Sequence, residues 1–132
     1  WSSVIDDSGG EVWERNDGSL LAVWLVGQSL QETIASVVGT IIKLRRKTKE
    51  ADYRLSVGIA PGVARISSDT NRPADGWELA GPFYLARWMM NLSAHRGRIL
   101  ITEVIAEGLK KKSEMLGRIP IQGNRYINLF EL

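Results

Sequence analysis

Residues 81–103 read GPFYLARWMMNLSAHRGRILITE, and the pattern of this stretch decides the fold. Residues 81–94 predict a helix, because their large apolar side chains lie on one broad side of it. These side chains are Tyr84, Leu85, Trp88, Met89 and Leu92. His95 and Gly97 then mark the exit from the helix, and residues 98–101, RILI, predict a short strand. The stretch therefore predicts a helix followed directly by a strand.

Strand and helix signals continue upstream of this stretch. Residues 20–26 predict a buried strand after a turn signal, and residues 53–60 predict another strand that Pro61 and Gly62 end. Between these strands, residues 28–51 predict a helix, because their apolar side chains recur at helical spacing. Basic side chains are concentrated at its C-terminal end. These basic side chains suit the negative pole of the helix dipole, which is typical of a solvated helix end. Alternatively, they form a patch that binds phosphate or a membrane surface.

Downstream, Thr102 is expected to cap a short helix that ends near Lys112, and residues 122–124, QGN, to turn a final hairpin. Helices and strands in this order predict an α+β fold, a ferredoxin-like palm with a mixed, mostly antiparallel sheet and helices packed on one face. We expect residues 1–132 to form a single domain, because this length suits one hydrophobic core.

The framework of residues 81–103 resembles that of class III nucleotidyl cyclases. In that family the corresponding stretch runs from Gly through Val-Asn and Ala-Ala-Arg or Ala-Ser-Arg on a helix to Gly-x-Ile-Leu-Val-Ser-Glu on a strand. The opening Gly and residues 97–103 fit without a gap, whereas the transition-state Asn falls on Leu85 and the Arg on Met89. Neither side chain supplies the donors or the positive charge that cyclising a triphosphate requires. Arg87 is a poor substitute, because residues two apart on a helix point to different sides.

Residues 9–24, GGEVWERNDGSLLAVW, carry a second match to the same family. They are similar to its Gly-Gly-Glu-Val-x-Lys-x-x-Gly-Asp-x-x-Met/Leu-Ala-Val-Phe. By this resemblance Glu14 occupies the position of a base-contacting Lys, and Gly18 occupies that of a metal-binding Asp. Asp17 lies one residue early, so we interpret it as a turn residue and only secondarily as the remnant of a polar site.

Three further segments extend the resemblance over nearly the whole chain. Residues 54–64 and 116–132 are similar to the family's Arg-Ile-Gly-Ile-His-Thr-Gly-x-Val and to its closing hairpin, and Glu78 replaces a base-reading Asp. The family's opening strand, which bears Asp-x-x-Gly-Phe-Thr and a second metal-binding Asp, has no counterpart, nor do the first helices after it. The resemblance therefore implies a degenerate, N-terminally incomplete cyclase domain. Either the chain is a fragment, or a partner or a rearrangement fills the place of the missing strand, because the neighbouring strands would otherwise leave ladder donors and acceptors unpaired.

The diguanylate cyclases share the palm fold and offer a competing resemblance. Residues 15–23 and 55–60 lie over their Arg-x-Gly-Gly-Asp-Glu-Phe-Ala-Val turn and their Val-Ser-Ile-Gly-Ile-Ala strand. Here too the metal-binding acids are replaced, by Ser19 and Leu20. The ILITE strand and the long C-terminal hairpin favour the nucleotidyl cyclases, and both resemblances imply the same inactive site.

Composition narrows the possible chemistry further. The 132 residues include no Cys and a single His, His95, so the sequence offers neither a disulfide nor a cluster of thiolate or imidazole ligands. A net charge of +2 does not indicate a nucleic-acid partner. The longest apolar run, residues 20–26, is too short to span a membrane. We therefore expect no metal, no cofactor, no nucleic acid and no membrane contact.

These observations predict a catalytically inactive regulatory or dimerisation domain, joined to other domains in a cytoplasmic signalling protein. Its expected partner is a second copy of itself, in a homodimer, or a related cyclase-like domain. The interface candidates are apolar side chains of the kind that concentrate in interfaces: Trp24, Trp88, Met89 and Leu92. Two alternatives stay open, a domain that senses a nucleotide without turnover and an active adenylate or guanylate cyclase with an atypical site around Glu14, Asp17 and Glu78.

Overall fold

The computed structural model describes residues 2–15, 17–27, 29–63, 81–92, 97–109, 113–121 and 124–132. The chain divides into two compact units, Trp1–Arg54 (the N-terminal unit) and Leu55–Leu132 (the C-terminal unit). Helices combine with parallel and antiparallel strands, so the predicted α+β class is confirmed. None of the helices in the described ranges has the length and apolar character needed to cross a membrane.

The described part of the N-terminal unit consists of two helices and a β-hairpin: α1 (Ser2–Asp7), β1 (Glu11–Glu14), β2 (Leu20–Val23) and α2 (Leu30–Glu50). β1 and β2 pair antiparallel, with Glu11 at the start of β1 opposite Val23 at the end of β2. The strand predicted over residues 20–26 is therefore three residues shorter in the structure, because β1 offers no partner beyond Val23. Leu25 and Val26 are exposed instead.

The helix α2 forms because its sequence combines a cap with an amphipathic pattern. The hydroxyl oxygen of Ser29 accepts a hydrogen bond from the backbone N–H of Glu32 at 3.2 Å, which satisfies one of the unpaired donors of the first turn. The buried side chains share one face: Ile34, Val38, Thr40, Ile41, Leu44 and Thr48. Lys47 and Lys49 lie in the last turn, where positive charge suits the carbonyl end of the helix. The predicted helix is confirmed.

In its described residues, the C-terminal unit contains a four-stranded sheet and two helices: β3 (Val57–Ile59), α3 (Gly81–Met90), β4 (Ile99–Thr102), α4 (Glu103–Glu107), β5 (Glu114–Ile121) and β6 (Arg125–Glu131). The strand order is β3-β4-β6-β5, with β3 parallel to β4 and the other neighbours antiparallel, so the sheet is mixed and mostly antiparallel. The edge strand β5 carries a bulge between Met115 and Gly117, and Pro120 near its end. The predicted final hairpin is confirmed by this pairing, although Gln122 and Gly123 lie outside the described residues.

The helix α3 packs on this sheet. Met89, Leu100 and Leu129 form the centre of the core, and each is at most 1% exposed. α3 approaches β3 closely because Gly58 has no side chain, since a Cβ atom there would collide with the backbone carbonyl oxygen of Ala86. All four residues of β4 are buried, which explains the uninterrupted apolar run ILI in its sequence.

Three elements of this unit are shorter than the sequence pattern predicts. α3 ends at Met90, in a turn in which the N–H of Leu92 bonds to the carbonyl oxygen of Met89 at 3.2 Å, rather than continuing to residue 94. α4 ends at Glu107 rather than near Lys112, because Gly108 follows as its C-cap. β3 has three residues instead of eight, because only these pair with β4.

Candidate functional site

The turn between β1 and β2 brings together three positions implied by the resemblance, Glu14, Asp17 and Gly18. Glu14 is the exposed last residue of β1, and Gly18 adopts a φ angle of 83°, which favours glycine. The Asp17 carboxylate accepts hydrogen bonds from the backbone N–H of Ser19, at 2.9 Å, and from the Ser19 hydroxyl. These bonds are typical of a turn residue, as the sequence NDG predicts.

A metal centre is not assembled in the ranges that the structure describes. No group of three or more His, Cys, Asp or Glu side chains there is placed to hold an ion. Glu78, at the base-reading position of the resemblance, and His95 lie outside the described residues.

Trp24, an interface candidate, packs inside the N-terminal unit. Its ring is half-buried, and its indole N–H donates a hydrogen bond to the hydroxyl oxygen of Ser8 at 3.0 Å. The ring also lies close to Gly10, where an added Cβ would stand 2.6 Å from the Cε2 atom of Trp24. Trp24 therefore anchors the end of β2 within its own unit, and its neighbours Leu25 and Val26 supply the exposed apolar surface at this end of the hairpin.

The two substituted catalytic positions on α3 have different surroundings. Leu85 is half-buried, whereas Met89 is 0% exposed and packs with Leu100 and Leu129. Met89 therefore lies in the core, which differs from the expected place on the lining of a cleft or at an interface. The reason is the four-residue spacing, which turns Leu85 and Met89 towards the sheet together. The other candidates on this stretch, Trp88 and Leu92, are half-buried against the same core.

A groove of about 450 Å³ opens in the C-terminal unit beside Leu85. It lies where the parallel strands β3 and β4 end, a common place for ligands in open sheets. Residues from five segments line this groove, which we name the Thr102 groove: Pro61, Leu85, Thr102, Glu103, Val104, Arg118, Tyr126, Ile127 and Asn128. The position that would hold the catalytic Asn thus contributes an apolar side chain to its wall.

Neighbouring groups hold the polar side chains of the Thr102 groove in place. The Nδ2 atom of Asn128 donates a hydrogen bond to Oε2 of Glu103 at 3.2 Å. The guanidinium carbon of Arg118 lies 4.6 Å from the centroid of the Tyr126 ring, a cation–π contact. Arg118 stands opposite Asn128 in the β5–β6 ladder, which places both side chains on one face of the hairpin.

Thr102 itself is the most buried polar residue of this groove. It occupies the N-cap position of α4, but its side chain makes no capping hydrogen bond, contrary to the prediction. It is 8% exposed, and its hydroxyl oxygen is buried without a hydrogen-bond partner. The alternation of β4 explains this orientation, because Thr102 shares a face of the strand with Leu100, towards the core, instead of standing over the first turn of α4.

The chain aligns with the crystal structure of the guanylyl cyclase Cya2, with a TM-score of 0.53. The fold is of the cyclase type. Sequence identity to that protein is 11%, and the alignment covers 98% of this chain and 72% of that chain. No family model and no curated protein matches the sequence. At this identity the similarity shows the fold alone, which is the palm that the sequence resemblance implied.

Sequence reasoning missed the polar side chains of the groove. A signal existed for Thr102 and Glu103, because a polar pair that directly follows a buried apolar strand marks the end of that strand. Arg118, Tyr126 and Asn128 carry no such signal. Their approach to one another depends on the register of β5 against β6, which their spacing in the sequence does not determine.

Proposed function

We propose that the chain is a catalytically inactive cyclase-like domain that serves as a regulatory or dimerisation module of a cytoplasmic signalling protein. The burial of Met89 carries this proposal. A catalytic guanidinium has to reach the phosphate oxygens of its substrate, whereas a side chain at this position points into the core with Leu100 and Leu129. An arginine there would bury a charge, which is costly unless the charge is paired.

The other substituted positions support the same function. Leu85 has no hydrogen-bonding group with which to orient a ribose or a phosphate. Gly18 has no carboxylate for a metal ion, and its φ angle of 83° would strain an aspartate placed there. Glu14 brings a negative charge to the position of the base-contacting Lys, which disfavours a triphosphate.

An assay of the purified protein with ATP or GTP and Mg²⁺ or Mn²⁺ tests the loss of catalysis. We expect no cyclic AMP or cyclic GMP above the level formed by the Gly18→Arg variant, which would place a positive charge at the metal position. Thermal unfolding of both proteins establishes that each is folded. Cyclic nucleotide made by the wild type and lost in the variant would overturn the proposal and favour an active cyclase with an atypical site around Glu14, Asp17 and Glu78.

We assign the regulatory role to association with a second copy or with a related cyclase-like domain. Trp88 and Leu92 are half-buried and so leave part of their apolar surface accessible, and Leu25, next to Trp24, is 74% exposed. Exposed apolar groups of this kind favour association. A nucleotide sensor, the alternative function, would instead gain thermal stability with ATP, GTP or a cyclic nucleotide without turnover, so a thermal-shift comparison separates the two functions.

A further inference from the structure

We propose that the Thr102 groove binds a zwitterionic small molecule, an amino acid or dipeptide with an apolar side chain. The groove volume of about 450 Å³ lies within the range of small-molecule sites in proteins. This inference goes beyond the proposed function, because it rests on the shape and charges of the groove and not on association or on the absence of catalysis.

The space for a ligand follows from the register of the sheet. β4 pairs with β6 only as far as Thr102 opposite Leu129, so the part of β6 that carries Tyr126 and Asn128 extends beyond β4. The chain leaves β4 directly as α4, and the bond from Asn128 to Glu103 joins α4 to the extended part of β6. A recess with a polar rim therefore forms at the end of β4.

The charges of the groove point to a ligand with both signs of charge. Glu103 and Arg118 are exposed residues of opposite charge that line the same recess, and no ion pair joins them. Each is oriented by a neutral neighbour instead, Glu103 by the Asn128 amide and Arg118 by the Tyr126 ring. An ammonium group satisfies Glu103 and a carboxylate satisfies Arg118. A triphosphate would meet the Glu103 carboxylate, which disfavours a nucleotide.

The remainder of the groove suits an apolar side chain and one further polar contact. Leu85, Val104 and Ile127 supply apolar walls. The hydroxyl of Thr102 is buried without a hydrogen-bond partner. A buried polar group in this state lowers the stability of the fold. In the proposed complex, rotation about χ1 turns this hydroxyl to donate to the carboxylate of the ligand, because the apolar side chain of the ligand offers no acceptor.

Isothermal titration calorimetry on the whole chain tests the site with phenylalanine and the dipeptide Leu-Phe as probes. Their uncharged counterpart is N-acetyl-phenylalanine amide. We expect both zwitterions to bind and the uncharged probe to bind at least tenfold more weakly. Glu103→Gln and Arg118→Gln are each expected to weaken binding of phenylalanine at least tenfold. Arg125→Gln, an exposed change on the same hairpin outside the groove lining, is expected to leave binding unchanged.

Thr102→Val removes the hydroxyl with little change of shape and gives a second, independent readout. The ligand-free variant is expected to melt at a higher temperature than the wild type, because the unpartnered hydroxyl is gone, and yet to bind phenylalanine more weakly. A higher melting temperature with unchanged binding would overturn the role of Thr102. The site as a whole is overturned if folded protein releases no heat with either zwitterion at millimolar concentration, or if it binds the uncharged probe, ATP or GTP as tightly as phenylalanine.

Discussion

Gly58 sets the distance between α3 and β3. The obstacle to a larger residue is the backbone rather than a flexible side chain. A Cβ built at Gly58 would collide with the carbonyl oxygen of Ala86 and would lie 3.0 Å from the Cβ of Met89. Glycine is otherwise unfavourable inside a strand, since it loses more conformational freedom on folding than other residues. Close approach of the helix explains its presence here.

Substitution of two glycines separates this packing effect from the general gain in stability when alanine replaces glycine. Gly58→Ala is expected to lower the free energy of unfolding by about 1–3 kcal/mol, the usual cost of overpacking a core. Gly39 is exposed in α2, and a Cβ there would have nothing within 4 Å, so Gly39→Ala is expected to raise the free energy of unfolding by about 0.5–1 kcal/mol. Urea denaturation measures both changes, and a wild-type stability for Gly58→Ala would contradict the packing described.

Met89 is a residue whose surroundings a single sequence leaves undetermined. The helical spacing places it correctly on the apolar side of α3. The same spacing does not tell a core position from a cleft lining, because both are apolar once the catalytic polar residues are absent. Only the contacts of Met89 with Leu100 and Leu129 decide that its side chain stabilises the core.

Among the elements, helices with local signals were easier to predict than strand ends. α2 was predictable because its cap and its apolar repeat both lie within the helix or directly before it. The limits of β2 and β3 depend on where pairing with β1 and β4 begins and stops, at Val23 for β2 and at Val57 and Ile59 for β3. That information lies elsewhere in the chain, so the apolar runs predicted longer strands.

The N-cap of α2 stabilises the start of this helix, and its contribution is measurable by substitution. Ser29→Ala is expected to lower the free energy of unfolding by about 1 kcal/mol, because the N–H of Glu32 loses its acceptor. Ser36→Ala is the matched control, since Ser36 is exposed within the same helix and alanine is the better helix former there. Thermal unfolding followed by circular dichroism compares the variants. Equal melting temperatures for the Ser29→Ala and Ser36→Ala variants would contradict a stabilising role of the cap.

For the whole molecule, the fold class and the cyclase type of palm were predictable because the motifs follow one another along the chain in a fixed order. The division of the strands between two sheets, β1-β2 and β3-β4-β6-β5, required the structure. The Thr102 groove required it as well. Five separate segments contribute to that groove, and the pairing of β4, β5 and β6 brings most of them together.

The proposed association is tested on exposed side chains, because changes at half-buried Trp88 or buried Met89 would also disturb the core. Leu25→Asp is expected to weaken self-association at least tenfold, which corresponds to about 1.4 kcal/mol. Val63→Asp is the matched control, since Val63 is 96% exposed and is not one of the side chains to which association is assigned. Sedimentation velocity over a concentration series measures the dimer. A wild type that stays monomeric throughout, or equal effects of both variants, would leave the proposed interface without support.

The edge strand β5 has a consequence for behaviour at high concentration. Pro120 has no backbone N–H to offer a neighbouring chain, and the bulge between Met115 and Gly117 breaks the regular spacing of the ladder. The exposed charged side chains of Glu114 and Arg118 keep this edge hydrated. These features disfavour pairing of a second molecule with β5 in continuous register, so the long hairpin is a poor template for amyloid-like fibres.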